Sequence, residues 1–124
     1  MNYLAIDYGL AKIGLALSRG FLTEPYQVIP EKSCLKILPR ILDQEKIDKI
    51  IIGISEGKSK ETAEKFAARL IKITEIPIVF FDETLSTYDA KKKMIEAGKS
   101  KKFRREKEDM IAAALILQSY LDSL

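Results

Sequence analysis

The sequence predicts an α/β protein built on a mixed five-stranded sheet, an antiparallel meander followed by parallel strands, with helices on both faces. Three observations carry this. Three extended stretches follow one another near the start with only short turns between them. Two later runs, "KIIIGI" at 49–54 and "IPIVFFDE" at 76–83, are apolar without alternation, as strands buried on both sides are. Stretches of helical period separate and follow those runs, which is the order of a sheet covered by helices.

Residues 3–8 and 12–17 are strand-like, and the turn between them opens on Gly9, so the pair reads as a hairpin. A third extended stretch, 22–29, lies between Gly20 and Pro30. After Pro30 the period changes. Leu35, Ile37, Leu38, Ile41, Leu42 and Ile47 recur at roughly helical spacing, with Pro39 expected to kink or delay that helix. The strand 49–54 is followed by an amphipathic helix over 59–74, with Ser59 as its N-cap and Ala63, Phe66, Ala67 and Leu70 on its buried stripe. Pro77 stops it, and the next strand spans 76–83. A helix over 86–97 ends at Gly98, and a last helix runs from about 105 to 121 with Ile111, Leu115, Tyr120 and Leu121 among its apolar positions. No repeat or linker interrupts the chain, so residues 1–124 are expected to form a single domain.

The composition, 47% apolar and 31% charged, excludes a disordered chain. A single cysteine, Cys34, excludes an internal disulfide. Neither an apolar run long enough to span a bilayer nor a secretory leader is visible, so the cytoplasm is the expected location and no membrane partner is expected. A net charge of +3 is too mild to imply a polyanionic partner, but six of the nine residues in "KSKKFRREK", 99–107, are Lys or Arg.

Three acids stand at the ends of elements. Asp7 closes the first strand beside the Gly9 turn, on the face it shares with Tyr3 and Ala5. Taken alone it would be an ordinary turn residue. Glu83 closes the last buried strand, at the carboxyl end where ligands bind in open α/β sheets; alternation lets only one of Asp82 and Glu83 look toward Asp7. Helix capping by this acidic pair is the plainer alternative. Asp109 lies on a helical stripe with Ala112, Ala113 and Ile116, the wrong face for a surface acid, though a first-turn acid is also favoured by the helix dipole. If the three converge, their repulsion calls for a cation. Hard oxygen donors without His suit Mg²⁺ or Mn²⁺, and two such ions about 4 Å apart can drive phosphodiester cleavage. Asp7 would bridge them, with Glu83 and Asp109 each holding one side.

The stretches "LAIDYGLAKIGLALS", "IIGISEG", "VFFDETLSTYDA" and "KEDMIAAALILQSYL" resemble, in order and over nearly the whole chain, those of the YqgF family, also called RuvX. The resemblance implies a ribonuclease H-like fold, similarity to Holliday junction resolvases, and a nuclease role at the 5′ end of pre-16S rRNA. The family's acidic residues map onto Asp7, Glu83 and Asp109, and a basic family position maps onto Lys107. Where the family usually carries Arg, this chain has Lys12 and Thr84, so a bidentate phosphate grip is replaced by a point charge or a hydroxyl. The loop within "GISEGKSKE" is also shorter than usual and lacks the family's Pro and Asp-Gly pair.

The expected function is therefore a metal-dependent endonuclease on structured nucleic acid, with processing of the 5′ end of pre-16S rRNA favoured and the ribosomal precursor as its setting. Asp7, Glu83 and Asp109 are the expected catalytic and metal-holding residues. Lys12, Lys101, Lys102, Phe103, Arg104, Arg105 and Lys107 are expected to bind nucleic acid, the cations on phosphate and Phe103 by stacking. A resolvase-like nuclease on branched DNA and a non-catalytic RNA- or ribosome-binding factor are the alternatives. Phosphotransfer of the sugar-kinase type needs a second domain that 124 residues cannot supply. The expected oligomeric state is a monomer or weak dimer.

Overall fold

A computed structural model describes residues 1–20, 22–54, 58–82 and 101–124, and of residues 58, 59, 82 and 101–108 the backbone alone. Five strands form one mixed sheet. They are β1 (Tyr3–Asp7), β2 (Lys12–Ser18), β3 (Thr23–Pro30), β4 (Lys49–Ile54) and β5 (Ile78–Asp82), in the spatial order β3-β2-β1-β4-β5. The first three pair antiparallel as the meander requires; β4 lies parallel to β1, and β5 parallel to β4. The central strand is thus β1, and the carboxyl ends of β1, β4 and β5 open on the same edge of the sheet as the start of β2.

Alternation along the strands divides the core in two. Leu4, Ile6, Ile13, Leu15, Ile50 and Ile52 point to one face, where α1 (Cys34–Gln44) adds Leu38, Ile41 and Leu42 and α2 (Lys58–Leu70) adds Ala63, Phe66 and Leu70. Tyr3, Ala5, Ala16 and Ile51 point to the other, covered by α3 (Lys101–Asp122) through Ala113, Ala114, Ile116 and Leu117. Facing α3 across the strands are small side chains, Ala5 and Ala16, which is what lets a helix lined with alanine lie close to the sheet.

Several boundaries differ from the sequence expectation. Pro39 lies inside α1 without ending it, because a short 3-10 turn (Glu31–Ser33) starts the helix upstream and Pro39 then removes a single backbone hydrogen bond. The helix closes instead at Lys46, whose φ of 52° is left-handed. Ile47 N–H donates to Leu42 O and Lys46 N–H to Asp43 O, the two bonds of a Schellman closure with lysine where glycine is usual. α2 begins at Lys58, which places Ser59 inside the first turn rather than at the N-cap, and it ends at Leu70 in tighter turns through Ile73. β5 starts at Ile78, one residue after Pro77. The last helix starts at Lys101, four residues before the expected start, so the basic run is helical there rather than a lead-in. The helix expected over 86–97 lies outside the described residues. Among those described, no helix is long and apolar enough to cross a membrane.

Candidate active site

β1 ends at Asp7 on the face covered by α3. In register it stands opposite Gly14 of β2 and Gly53 of β4. Residues opposed across a sheet share a face, so the Asp7 carboxylate is flanked on both sides by positions with no side chain. Neither glycine sits at a turn. An isolated glycine inside a strand marks a bulge or a close approach of another backbone, and at Gly14 the approach is plain. A Cβ there would stand 2.1 Å from the carbonyl oxygen of Asp109 and 2.8 Å from its Cβ. The helix backbone therefore rests on the strand beside Asp7, and Gly14 is the point through which the two acids are brought together.

Ala112 and Ala113, 1% and 0% exposed, continue that contact and fix which side of α3 turns to the sheet. Asp109 itself is half-buried, and its Oδ2 lies 3.5 Å from Nζ of Lys12. Lys12 precedes Gly14 by two positions and so shares its face. Asp7, Asp109 and Lys12 are thus all placed at the carboxyl edge of the central strand, where open α/β sheets bind ligands. A groove lined by Pro39, Leu42, Asp43, Lys46 and Ile73 lies at the other end of the sheet, by the start of β4, away from these groups.

Glu83 and Thr84 lie outside the described residues. For Lys101, Lys102, Phe103, Arg104, Arg105 and Lys107 the backbone is helical, on the turns of α3 that precede Asp109, and their side chains lie outside the description. Asp82, the last residue of β5, is in register with Ile54. Among the described residues no three acidic, His or Cys side chains form a metal-holding group. The donor chemistry present nonetheless fits a hard divalent ion: Asp7 and Asp109 supply carboxylate oxygens, the chain has no His, and its one Cys is buried on the opposite face of the sheet. The ammonium on Asp109 already shows that this carboxylate holds a cation.

A polar cluster that sequence reasoning did not anticipate backs the site. Tyr8 turns to the face opposite Asp7, stacks on Phe66 with ring centroids 4.6 Å apart, and donates its hydroxyl to Glu31 Oε1 at 3.0 Å. Arg69, from the last turn of α2, donates to the same oxygen at 2.9 Å and to the Tyr8 hydroxyl at 3.3 Å. The hydrogen bond from Arg69, reinforced by that from Tyr8, holds the Glu31 carboxyl below the usual glutamate range. Burial, with Glu31 alongside, pushes the Tyr8 phenol up. The cluster fastens the residue after Asp7 to α2 and to the 3-10 turn that leads into α1. Its only trace in sequence is the placement of Tyr8 beside Asp7, since Tyr8, Glu31 and Arg69 come from separate elements.

A mixed five-stranded sheet of this order is the fold of the Holliday junction resolvases. The chain superposes on fowlpox virus resolvase, solved with its Holliday junction DNA, at a TM-score of 0.62 and 13% identity over 99% of this chain and 98% of that one. RuvC of T. thermophilus, in complex with a Holliday junction substrate, gives the same TM-score and identity over 99% and 96%. At sequence level the family model for RuvX, described as Holliday junction resolvase, matches residues 1–123. The chain belongs to the RuvX family. Among its relatives, the protein named "Putative pre-16S rRNA nuclease" in Geobacillus kaustophilus is 37% identical over 99% of both chains. That of the same name in Rhodobacter capsulatus is 37% identical over 96% of this chain and 82% of its own.

Proposed function

We propose that this protein is a metal-dependent endonuclease that cuts phosphodiesters in structured RNA, and that its substrate is the 5′ end of pre-16S rRNA in the cytoplasm, during ribosome assembly. The observation that carries the reading is that the Asp109 backbone packs on Gly14, the residue paired with Asp7, with Lys12 in an ion pair to Asp109. The names of the relatives favour rRNA over branched DNA.

In this reading Asp7, Asp109 and Glu83 are the residues that would hold two Mg²⁺ or Mn²⁺ ions. Such ions supply an activated water and neutralise the charge that develops on the leaving oxygen. The chain's own residues do the rest. Gly14 lets the α3 backbone bring Asp109 down beside Asp7, and Gly53, paired on the other flank, adds no side chain there. The cations of 101–107, on the turns of α3 leading into Asp109, attract phosphate and hold the strand in place, and Phe103 offers a stacking surface. The whole chain acts as one nuclease domain.

The decisive experiment is cleavage of a 5′-labelled pre-16S rRNA fragment, in parallel with a four-way DNA junction of equal length, with Mg²⁺, Mn²⁺ or chelator. We expect cuts in the RNA that need metal and disappear in Asp7→Asn and Asp109→Asn. Preferential cutting of the junction would move the substrate to DNA. Tight RNA binding with no cutting of either would make the protein a binding factor.

A further inference from the structure

Lys12 opens β2 on the face that carries Asp7, and its ammonium lies 3.5 Å from Asp109 Oδ2. Both groups remain in reach of solvent, at 46% and 30% exposure, so the pair can open without unfolding anything around it. The carboxylate it engages is one that the proposed reaction assigns to a divalent ion. An ammonium and a metal ion compete for that oxygen, because two cations a few ångströms apart repel. Arginine at this position would leave Asp109 reluctantly, since its fork can hold both carboxylate oxygens; a lysine is a single charge on a flexible four-carbon stem and swings away easily.

We propose that Lys12 is a displaceable counter-cation: it occupies Asp109 when no metal is bound, yields that carboxylate to the divalent ion, and then turns its freed ammonium to a phosphate of the nucleic acid. This rests on the reading of Asp109 as a metal ligand. Two consequences follow. Lys12 weakens metal binding in the absence of nucleic acid, and metal strengthens nucleic-acid binding by releasing Lys12, each ligand favouring the other by the same factor. Loading would then be favoured when substrate is present.

The test is titration of the full chain with Mn²⁺ alone, free ion counted by electron paramagnetic resonance, for wild type, Lys12→Gln, Lys12→Arg and Asp109→Asn. Lys12→Gln should bind Mn²⁺ about two- to fivefold more tightly than wild type, the factor an exposed ion pair is worth, while Lys12→Arg should bind no more tightly than wild type. Equal or weaker binding by Lys12→Gln, alongside a loss in Asp109→Asn, overturns the role of Lys12 and leaves the metal site standing. Unchanged binding in Asp109→Asn overturns both. A second measurement reads the other half: anisotropy of a labelled RNA stem-loop at fixed ionic strength, with and without Ca²⁺, which takes the same oxygen ligands. The gain from Ca²⁺ should shrink about two- to fivefold in Lys12→Gln. An undiminished gain overturns the handover to phosphate.

Discussion

Gly14 and Asp109 meet backbone to backbone, so closely that a single added Cβ on the strand would lie 2.1 Å from the Asp109 carbonyl oxygen. No rotamer can relieve that contact, because the obstruction is main chain. The register that pairs Gly14 with Asp7 makes this contact the rigid gauge of the distance between the two acid-bearing elements.

Gly14→Ala should therefore lift α3 off the sheet, costing about 1–3 kcal/mol by overpacking, and should remove more activity than that loss explains. Ala16→Gly, in the same interface and on the same strand, provides a control of similar stability loss that leaves Asp109 where it is. Urea denaturation and the Mn²⁺-induced rise in melting temperature, measured on both, separate the effects. If the two variants lose stability and metal response in the same proportion, Gly14 only packs.

The Tyr8, Glu31 and Arg69 cluster predicts a pH dependence. Arg69, and then Tyr8, hold the Glu31 carboxyl below its ordinary value of 4.5, so the ionised form contributes stability that is present above 4.5 and lost as pH falls through the lower folded value. Arg69 is 47% exposed, which limits the contribution to about 1 kcal/mol or less. Glu31→Gln should melt lower than wild type at pH 7, by up to about 5 °C, and the two curves should converge below the folded value. Tyr8 gives the opposite sign: its phenol is raised above 10.0, chiefly by burial, so its contribution is whole below 10.0 and lost as pH rises through the raised value. Parallel curves for wild type and Glu31→Gln across the acid range would show that the cluster carries no net stabilisation.

At the other end of the sheet, the left-handed Lys46 is a source of stability not yet used. Its side chain is exposed and its φ is 52°, a conformation that costs a residue with a Cβ about 1–2 kcal/mol. Glycine would remove that cost but add about 0.5–1 kcal/mol of chain entropy to the unfolded state. Lys46→Gly should thus raise the urea midpoint by an amount worth about 0.5–1 kcal/mol without touching cleavage. A lowered midpoint would mean that the lysine side chain stabilises the turn.

Most of the sheet was legible because burial imposes a period. "KIIIGI" cannot be solvated on either side, and Tyr3, Ala5 and Asp7 must share a face whatever they pack against. The acid on the alanine stripe of α3 was legible for the same reason. What the sequence hid are relations between elements. Pro39 looks like a break until the turn upstream of it starts the helix early, and Ser59 looks like a cap until the helix begins one residue sooner. Gly14 and Gly53 stood in plain view inside strands, yet only register shows that they flank Asp7. Lys12, read as a phosphate contact, has an acid beside it that is 97 positions away in the chain.

Those flanking glycines also set the terms for Asp7→Asn. The substitution keeps the shape of the side chain, removes one charge, and disturbs no packing from positions 14 or 53, since neither bears a side chain. The charge removed lies at the same edge of the sheet as the Asp109 carboxylate, so the substitution relieves like-charge repulsion in the metal-free protein. We expect the variant to be as stable as wild type or more so without metal, to lose cleavage, and to gain less than wild type from added Mn²⁺, because an ion that binds only the folded state stabilises it in proportion to its affinity. Thermal melts with and without Mn²⁺ at neutral pH read both halves at once. If Asp7→Asn instead destabilises the metal-free protein by more than about 1 kcal/mol, the size of a lost structural hydrogen bond or cap, Asp7 serves the turn at Gly9 rather than a metal ion.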